Sequence, residues 1–210
     1  MNFVTKKQMK RILRFENVEL GEKIARERGN FMCVFGHQCN WDLVACVPLW
    51  SDEFETSALY KALHNKFFDR LFNINRTRFG LDLIEHRQAA RKILMAKRSG
   101  GKPHLFAMNT DQSPATTKDC DWVQFFGMDT AAIGGWATIA LKTDMPVVYI
   151  HIRRDGRLRY SIFVEEIKER DRQAMLQKFY DLLEGDIKAQ PGQYLWSHRR
   201  WKHKREKNNI

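Results

Sequence analysis

Short apolar runs alternate along the chain with stretches in which apolar residues recur at helical spacing. The apolar runs and two-residue alternations predict strands at 30–36, 54–60, 81–85, 104–108, 146–153 and 157–164. The helical spacing predicts one or two helices over 6–28 and further helices at 41–50, 65–79, 87–98, 131–143 and 172–187. Because predicted strands and helices alternate, we expect an α/β fold: a single domain with a mixed or mostly parallel central sheet flanked by helices.

The sequence shows no sign of division into separate globular parts. It contains no internal repeat, low-complexity tract or Pro/Gly/Ser-rich linker. Its 210 residues, 43% of them hydrophobic, are enough for one domain with a substantial core. We therefore predict a helical N-terminal lead-in at 1–29, a main domain at 30–197 and a basic C-terminal tail at 198–210.

The charge balance changes the list of expected partners. Lys and Arg number 36 against 25 Asp and Glu, which gives a formal net charge of +11. Such an excess indicates an anionic partner: nucleic acid, an anionic membrane face, a phosphorylated lipid or an acidic carrier protein. The longest charge-free stretches, such as 130–141, fall short of the roughly 20 residues that span a bilayer. We expect the chain to be soluble or peripheral.

The cysteines and the N-terminus argue against two other classes. The four cysteines lack the C-x-x-C spacing of a zinc or redox site, so we expect free, reduced thiols and no metal. The N-terminus is basic but is not followed by the apolar stretch of a secretory signal.

A glycine-led histidine follows the predicted strand at 30–36. His37 would lie at the carboxyl end of this strand, where α/β sheets place their sites, and Asp42 in the first turn of the next helix. A carboxylate in that position can hydrogen-bond one ring nitrogen and leave the other to face a substrate. The pair predicts a general base, His37, with Asp42 as its orienting carboxylate. The alternative is a surface loop in which Asp42 only complements the helix dipole.

Several ordered blocks extend this motif into a family pattern. The motif GHQCNWDL at 36–43 resembles the late acyltransferases of lipid A biosynthesis, the lauroyl/myristoyl transferase family. Further matching blocks are YK at 60–61, NRTRFG at 75–80, NTDQSP at 109–114, VQFFG at 123–127 and PGQYLWSHRRWK at 191–202. The resemblance covers nearly the whole chain. It implies a glycerolipid acyltransferase-like fold, with 30–197 as the acyltransferase domain.

The resemblance also implies a reaction. The donor would be an acyl thioester of acyl carrier protein, with coenzyme A possible, and no further cofactor would be needed. The acceptor would be a hydroxyl of a lipid A precursor or a related membrane lipid, at the cytoplasmic face of the bacterial inner membrane, where the chain would bind peripherally. Asp42 stands where the lipid A branch usually has Glu, so another lipid, such as an amino-lipid, stays open.

Residues of the matching blocks are expected to bind the substrates. Arg76 and Arg78 could grip a phosphate, although a solvated charge pair is the alternative. Asp111 and Gln112 follow the predicted strand at 104–108, and the resemblance puts them on the acceptor side of the cleft; the alternative for Asp111 is a turn residue. The predicted substrate-binding residues are Asn40, Trp41, Arg76, Arg78, Asp111 and Gln112.

Two aromatic groups have predicted roles outside catalysis. Phe125 and Phe126 could form a wall of the acyl channel, but an aromatic pair could equally be core. Trp196, just before the basic tail, and Trp201 within it lie beside Arg and Lys and suit the headgroup level of an anionic leaflet; a solvated tail is the alternative. The predicted headgroup contacts are Trp196, Arg199, Arg200, Trp201 and Lys202.

The predicted mechanism is direct transfer. His37 would take a proton from the acceptor hydroxyl as that oxygen attacks the thioester carbonyl. No covalent acyl-enzyme is expected, because the nucleophile motif G-x-S-x-G is absent. Two other classes compete: a basic nucleic-acid-binding protein and a catalytically inert lipid-binding relative. We expect no nucleic-acid partner, because no nucleic-acid motif appears.

Overall fold

The strands and helices occur in nearly the predicted alternation. The computed structural model describes residues 4–118 and 120–205. The strands are β1 (Leu13–Phe15), β2 (Phe31–Phe35), β3 (Glu55–Tyr60), β4 (Asp82–Glu85), β5 (His104–Asn109), β6 (Asp121–Phe125), β7 (Met128–Ala132), β8 (Val147–Gly156) and β9 (Arg159–Ile167). The α-helices are α1 (Lys6–Ile12), α2 (Val18–Arg28), α3 (Lys66–Thr77), α4 (Ala89–Ser99), α5 (Gly135–Thr143) and α6 (Arg172–Ala189).

The central sheet is mixed but mostly parallel. Its strands lie in the order β1-β9-β8-β2-β5-β3-β4. The pair β8 and β9 is antiparallel, whereas the other neighbouring pairs of the sheet are parallel. β2, with the sequence FMCVF, is buried at every position, as expected for a strand covered on both faces. The predicted α/β class is confirmed.

Both faces of the sheet are covered, and β2 contributes to both cores. Its residues alternate in direction, so Met32 and Val34 pack into a core that includes residues of α5 and α6. The second core contains residues of α2 and of the short helix at Trp41–Leu49, and Phe31, Cys33 and Phe35 pack into it. The carboxyl end of β2 therefore leaves the sheet at its centre, between two packed layers.

Three local predictions are corrected. Residues 41–50, predicted as an α-helix, form a 3-10 helix at Trp41–Leu49 that contains Pro48, which lacks the N–H of a regular helical bond. The predicted helix at 131–143 begins only at Gly135, because Met128–Ala132 pairs with β6 in a hairpin. Leu13–Phe15 interrupts the predicted helical lead-in by pairing with β9. Three residues are too few to give a strand signal against a helical background.

Two further points concern membrane contact. Within the described residues, no helix has the length and apolar content that a bilayer span requires. Of the predicted basic tail at 198–210, residues 206–210 lie outside the described part of the chain.

Candidate active site

The site forms where two neighbouring parallel strands end. In the register of β2 and β5, Phe35 lies opposite Asn109. His37 and Asp111 each come two residues after these partners, so the strand pairing brings both to the same edge of the sheet. The sequence placed each residue after a strand, but the contact between them depends on this register.

His37 is hydrogen-bonded to Asp111. Its Nδ1 lies 2.5 Å from Oδ1 of Asp111, a carboxylate that is only 2% exposed. An ionised carboxylate only accepts hydrogen bonds, so Nδ1 of His37 is the donor in this pair and Nε2 of the neutral ring is the acceptor that faces the cleft. The Tyr194 hydroxyl donates to the other carboxylate oxygen at 3.0 Å. Burial, and then the charge of Asp111, raises the pKa of Tyr194 well above its usual range, which keeps this hydroxyl a donor.

The predicted hydrogen bond between His37 and Asp42 is wrong. Asp42 Oδ1 instead accepts from Arg76 Nε at 3.1 Å and Arg76 Nη2 at 2.9 Å. The physical reason is twofold: Asp111 occupies Nδ1 of His37, and a guanidinium offers a carboxylate two charge-assisted hydrogen bonds. Any catalytic role of Asp42 stays a prediction.

A cleft of about 240 Å³ opens beside His37. Its polar lining includes Asp42, Lys61, Arg76 and Gln112, and the Gln112 amide nitrogen lies 3.4 Å from His37 Nε2. The apolar part of the lining is Phe35, Trp41, Val44, Ala45, Ala58, Leu59, Leu81 and Leu83. An apolar wall with a few converging polar groups is typical of a small-molecule site.

The other predicted substrate-binding residues differ in position. The Trp41 ring packs edge-on against the His37 ring, with centroids 5.1 Å apart, and lines the cleft. Asn40 sits at the N-cap position of the 3-10 helix, where its carbonyl accepts from the Leu43 N–H at 2.9 Å. The exposed Arg78 has its guanidinium 5.4 Å from the Phe79 ring centroid.

Residues 191–203, here called the C-terminal segment, complete the site from the far end of the chain. Leu195 N–H donates to the carbonyl of His37 at 3.1 Å, and Cys39 N–H donates to the carbonyl of Gln193 at 2.6 Å. Together with Tyr194, these bonds tie the backbone around His37 to this segment. Sequence reasoning missed Tyr194, although it lies in a block that matches the family.

The predicted headgroup contact is wrong for Arg200. This residue is 3% exposed, and its guanidinium donates to Ser113 Oγ at 3.1 Å, to the Ala131 carbonyl at 2.9 Å and to the Tyr180 hydroxyl. Trp201 is half-buried and donates through Nε1 to Thr130 Oγ1 at 2.9 Å. The exposed residues of the predicted set are Trp196, Arg199 and Lys202. For these three, the headgroup contact stays a prediction.

The predicted acyl-channel wall is wrong for Phe125, which is a core residue. Phe125 is fully buried and packs against the rings of Phe126, Tyr180 and Trp201. Phe126 is half-buried, and its backbone N–H donates to Glu184 Oε2 at 2.6 Å. The apolar wall of the cleft beside His37 comes from the 3-10 helix and strands β2 to β4 instead.

A second polar cluster fixes the residue after His37. Asp186 on α6 accepts hydrogen bonds from Gln38 Nε2 at 2.7 Å, from the Tyr149 hydroxyl at 2.9 Å and from His151 Nδ1 at 2.8 Å. Burial raises the pKa of Tyr149 well above its usual value, so this hydroxyl remains a donor. No sequence signal marked this cluster, because Asp186 lies within an otherwise ordinary amphipathic helix.

Substitution of Gly36 tests how closely α6 packs against the end of β2, just before His37. A Cβ at this position would lie 2.5 Å from Cδ1 of Leu183 on α6. We expect Gly36→Ala to lower the free energy of unfolding by about 1–3 kcal/mol, the usual penalty of overpacking. Urea denaturation checks this value. Shortening the neighbour in a Gly36→Ala/Leu183→Ala variant should relieve the clash, so the two effects should be non-additive.

The matched control for this prediction is a glycine on α6, the helix that carries Leu183. Gly185 is exposed, and a Cβ there would meet nothing within 4 Å. Gly185→Ala should therefore stabilise the protein by about 0.5–1 kcal/mol through helix propensity. If Gly36→Ala were as stable as the original chain, the close approach of α6 would not constrain the backbone that carries His37.

A mostly parallel sheet with polar side chains gathered where its strands end has the architecture of an α/β enzyme. The chain belongs to the bacterial lipid A biosynthesis acyltransferases, whose family model matches residues 1–203. The protein is thus an acyltransferase that acts on lipids.

Comparison with curated proteins finds no significant match. Among solved structures, the chain is similar to the crystal structure of the 1-acyl-sn-glycerophosphate (LPA) acyltransferase PlsC from Thermotoga maritima. The sequences are 13% identical, the TM-score is 0.46, and the alignment covers 90% of this chain and 82% of the other.

Proposed function

We propose that this protein transfers a fatty acyl chain from an acyl thioester to a hydroxyl of a lipid A precursor or a related membrane lipid. The single observation that carries the mechanism is the hydrogen bond of His37 Nδ1 to the buried Asp111 carboxylate at 2.5 Å. It leaves Nε2 of His37 as a proton acceptor in a cleft with an apolar wall. In this proposal Asp111, and not Asp42, is the orienting carboxylate.

The reaction proceeds in two steps. His37 Nε2 removes the proton of the acceptor hydroxyl while the oxygen forms a bond to the thioester carbonyl carbon. Asp111 stabilises the imidazolium that results. The tetrahedral intermediate then collapses, the carbon–sulfur bond breaks, and the thiolate takes the proton from His37. The Gln112 amide nitrogen lies 3.4 Å from Nε2 and is suited to stabilise the oxyanion.

Asp42 and Arg76 serve binding in this proposal. Asp42 fixes the Arg76 guanidinium through two hydrogen bonds, and both residues line the cleft together with Lys61. A fixed arginine and a lysine suit a phosphate, which both the carrier's phosphopantetheine and a lipid headgroup would offer. Asp42 is therefore a positioning residue rather than the partner of the base.

The donor is proposed to be acyl carrier protein, with coenzyme A as the other thioester carrier. Both are acidic and would complement a chain with a net charge of +11. The apolar wall of the cleft would hold the acyl chain beside His37. The acceptor would be presented at the cytoplasmic face of the bacterial inner membrane. Membership of the lipid A biosynthesis family favours a lipid A precursor over an amino-lipid as that acceptor.

The proposed function is tested by mass spectrometry of lipids. The purified protein, given an acyl-carrier-protein thioester and a lipid A precursor, is expected to add the mass of one acyl chain to the precursor. The same mixture with the His37→Ala variant serves as the blank. A mass increase on an amino-lipid but not on the lipid A precursor would overturn the proposed acceptor. Trapping of an acylated Ser or Cys with donor alone would overturn direct transfer.

A further inference from the structure

Helix α3 has its apolar side in solvent. None of its 12 residues is buried, although it is strongly amphipathic. Phe67 is 71% exposed, Phe68 49%, Phe72 42% and Ile74 54%. At 3.6 residues per turn, these four side chains fall on one arc of about 160°. A helix of a globular protein normally turns such a face towards the core, so this face lacks a partner of matching chemistry within the described residues.

An ion pair on the polar side of α3 attaches the helix to the rest of the domain. Arg76 is bonded to Asp42 of the 3-10 helix. Asp69 Oδ1 accepts from the Leu63 N–H at 2.8 Å, which folds the preceding loop against the first turn, and Asp69 Oδ2 accepts from Asn73 at 3.2 Å. Turning the phenylalanines inward would break the Asp42–Arg76 contact. The outward orientation is therefore built into the attachment of the helix.

Charge identifies what this face fits. Between residues 61 and 80 the chain carries five Lys or Arg and a single acidic residue, Asp69. The exposed apolar residues of this region, here called the α3 surface, are Leu63, Phe67, Phe68, Phe72 and Ile74. Phenylalanines on one face with basic residues around them are the signature of a helix that lies in the interface of an anionic bilayer. The acidic carrier protein would match the basic residues but would leave most of this wide apolar face uncovered.

We propose that the α3 surface docks the protein on an anionic lipid bilayer, with the helix axis in the membrane plane. Phe72 lies one turn before Arg76, its ring centroid is 5.8 Å from the guanidinium carbon, and Arg76 lines the cleft. Docking through this face therefore places the mouth of the cleft at the level of the lipid headgroups. The purpose of the docking rests on the proposed function, but the binding itself can be measured without any transfer.

Vesicle co-sedimentation tests the docking. The protein is expected to sediment with phosphatidylglycerol-containing vesicles and much less with pure phosphatidylcholine, and added salt should weaken the binding. Replacement by serine in Phe67→Ser and in Phe67→Ser/Phe68→Ser should weaken partitioning by about tenfold for each phenylalanine lost. The matched control is Leu158→Ser: Leu158 is 63% exposed but lies in the turn between β8 and β9, away from α3. This control should bind as the original chain does.

The outcomes separate docking from catalysis. The His37→Ala variant should bind vesicles as well as the original chain while losing transfer, because His37 is not part of the α3 surface. If the original chain binds vesicles but transfers no acyl group, the proposed function falls and the docking stands. If the phenylalanine variants sediment normally, or lose affinity only for acyl carrier protein, the docking is overturned.

Discussion

Asp111→Asn is expected to lower acyl transfer by about 10⁴-fold, close to the loss expected for His37→Ala, while the protein stays folded. The Asp111 carboxylate accepts the Nδ1 proton of His37 at 2.5 Å. An asparagine amide can instead present a donor to Nδ1, which moves the ring proton to Nε2 and so removes the proposed base from the cleft. Asp42→Asn leaves this bond intact. It should produce a much smaller loss, mainly as a higher KM, because it releases Arg76.

Steady-state kinetics with a fixed acyl donor distinguish the two carboxylates. Tyr194→Phe is the matched control, because it removes one hydrogen bond from the Asp111 carboxylate but keeps the charge. Its rate should lie between that of the original chain and that of Asp111→Asn. A larger kcat loss for Asp42→Asn than for Asp111→Asn would contradict the assignment and would restore Asp42 as the partner of His37.

Arg200→Leu is expected to destabilise the protein by about 3 kcal/mol. The guanidinium is buried and donates to Ser113, the Ala131 carbonyl and Tyr180. Leucine fills part of the volume of the arginine but cannot donate a hydrogen bond. The Ala131 carbonyl and the Ser113 and Tyr180 hydroxyls then lose a charged partner, and buried polar groups without partners lower the free energy of unfolding. For a chain of 210 residues, this change corresponds to a fall in Tm of about 6–12 °C.

The neighbouring arginine provides the control for this prediction. Arg199 is exposed, so Arg199→Leu should change the free energy of unfolding by no more than about 0.5 kcal/mol. Both variants can be measured by calorimetry and urea denaturation. Equal effects of the two substitutions would show that the interior contacts of Arg200 contribute nothing to stability. Arg200→Leu should also lower transfer, because Ser113 lies two residues after Asp111.

The ends of the buried strands were the most predictable part of this protein. The apolar runs of β2 and β5 were sufficient to place His37 and Asp111 at the carboxyl ends of strands. Which carboxylate would meet the histidine was not predictable, because Asp42 is near in sequence while Asp111 is brought near by strand register. Spacing in the sequence favoured Asp42 as the partner of His37, whereas the pairing of β2 with β5 brings Asp111 to the histidine.

The position of Arg200 and the orientation of helix α3 were not predictable for one physical reason: burial of a charged or apolar side chain depends on distant partners. Arg200 looked like part of a solvated basic tail, because its neighbours are basic and its partners come from three other parts of the chain. Helix α3 was correctly predicted as a helix, but its periodicity carries no information on whether its apolar face lies in the core or in solvent. The ion pair of Asp42 with Arg76, which fixes its orientation, has no local signature.

The pairing of the C-terminal segment with the backbone around His37 has a consequence for the timing of activity in the cell. During synthesis the ribosome releases β2 and His37 long before Tyr194 and Leu195, so a nascent chain carries His37 without the groups that fix its position. Because contacts between such distant positions form late in folding, the ability to transfer an acyl group should arise only after residues 191–203 have left the exit tunnel. Half-made chains would thus be unable to transfer acyl groups, and a stop codon before Tyr194 should behave as a null allele even where the truncated chain accumulates.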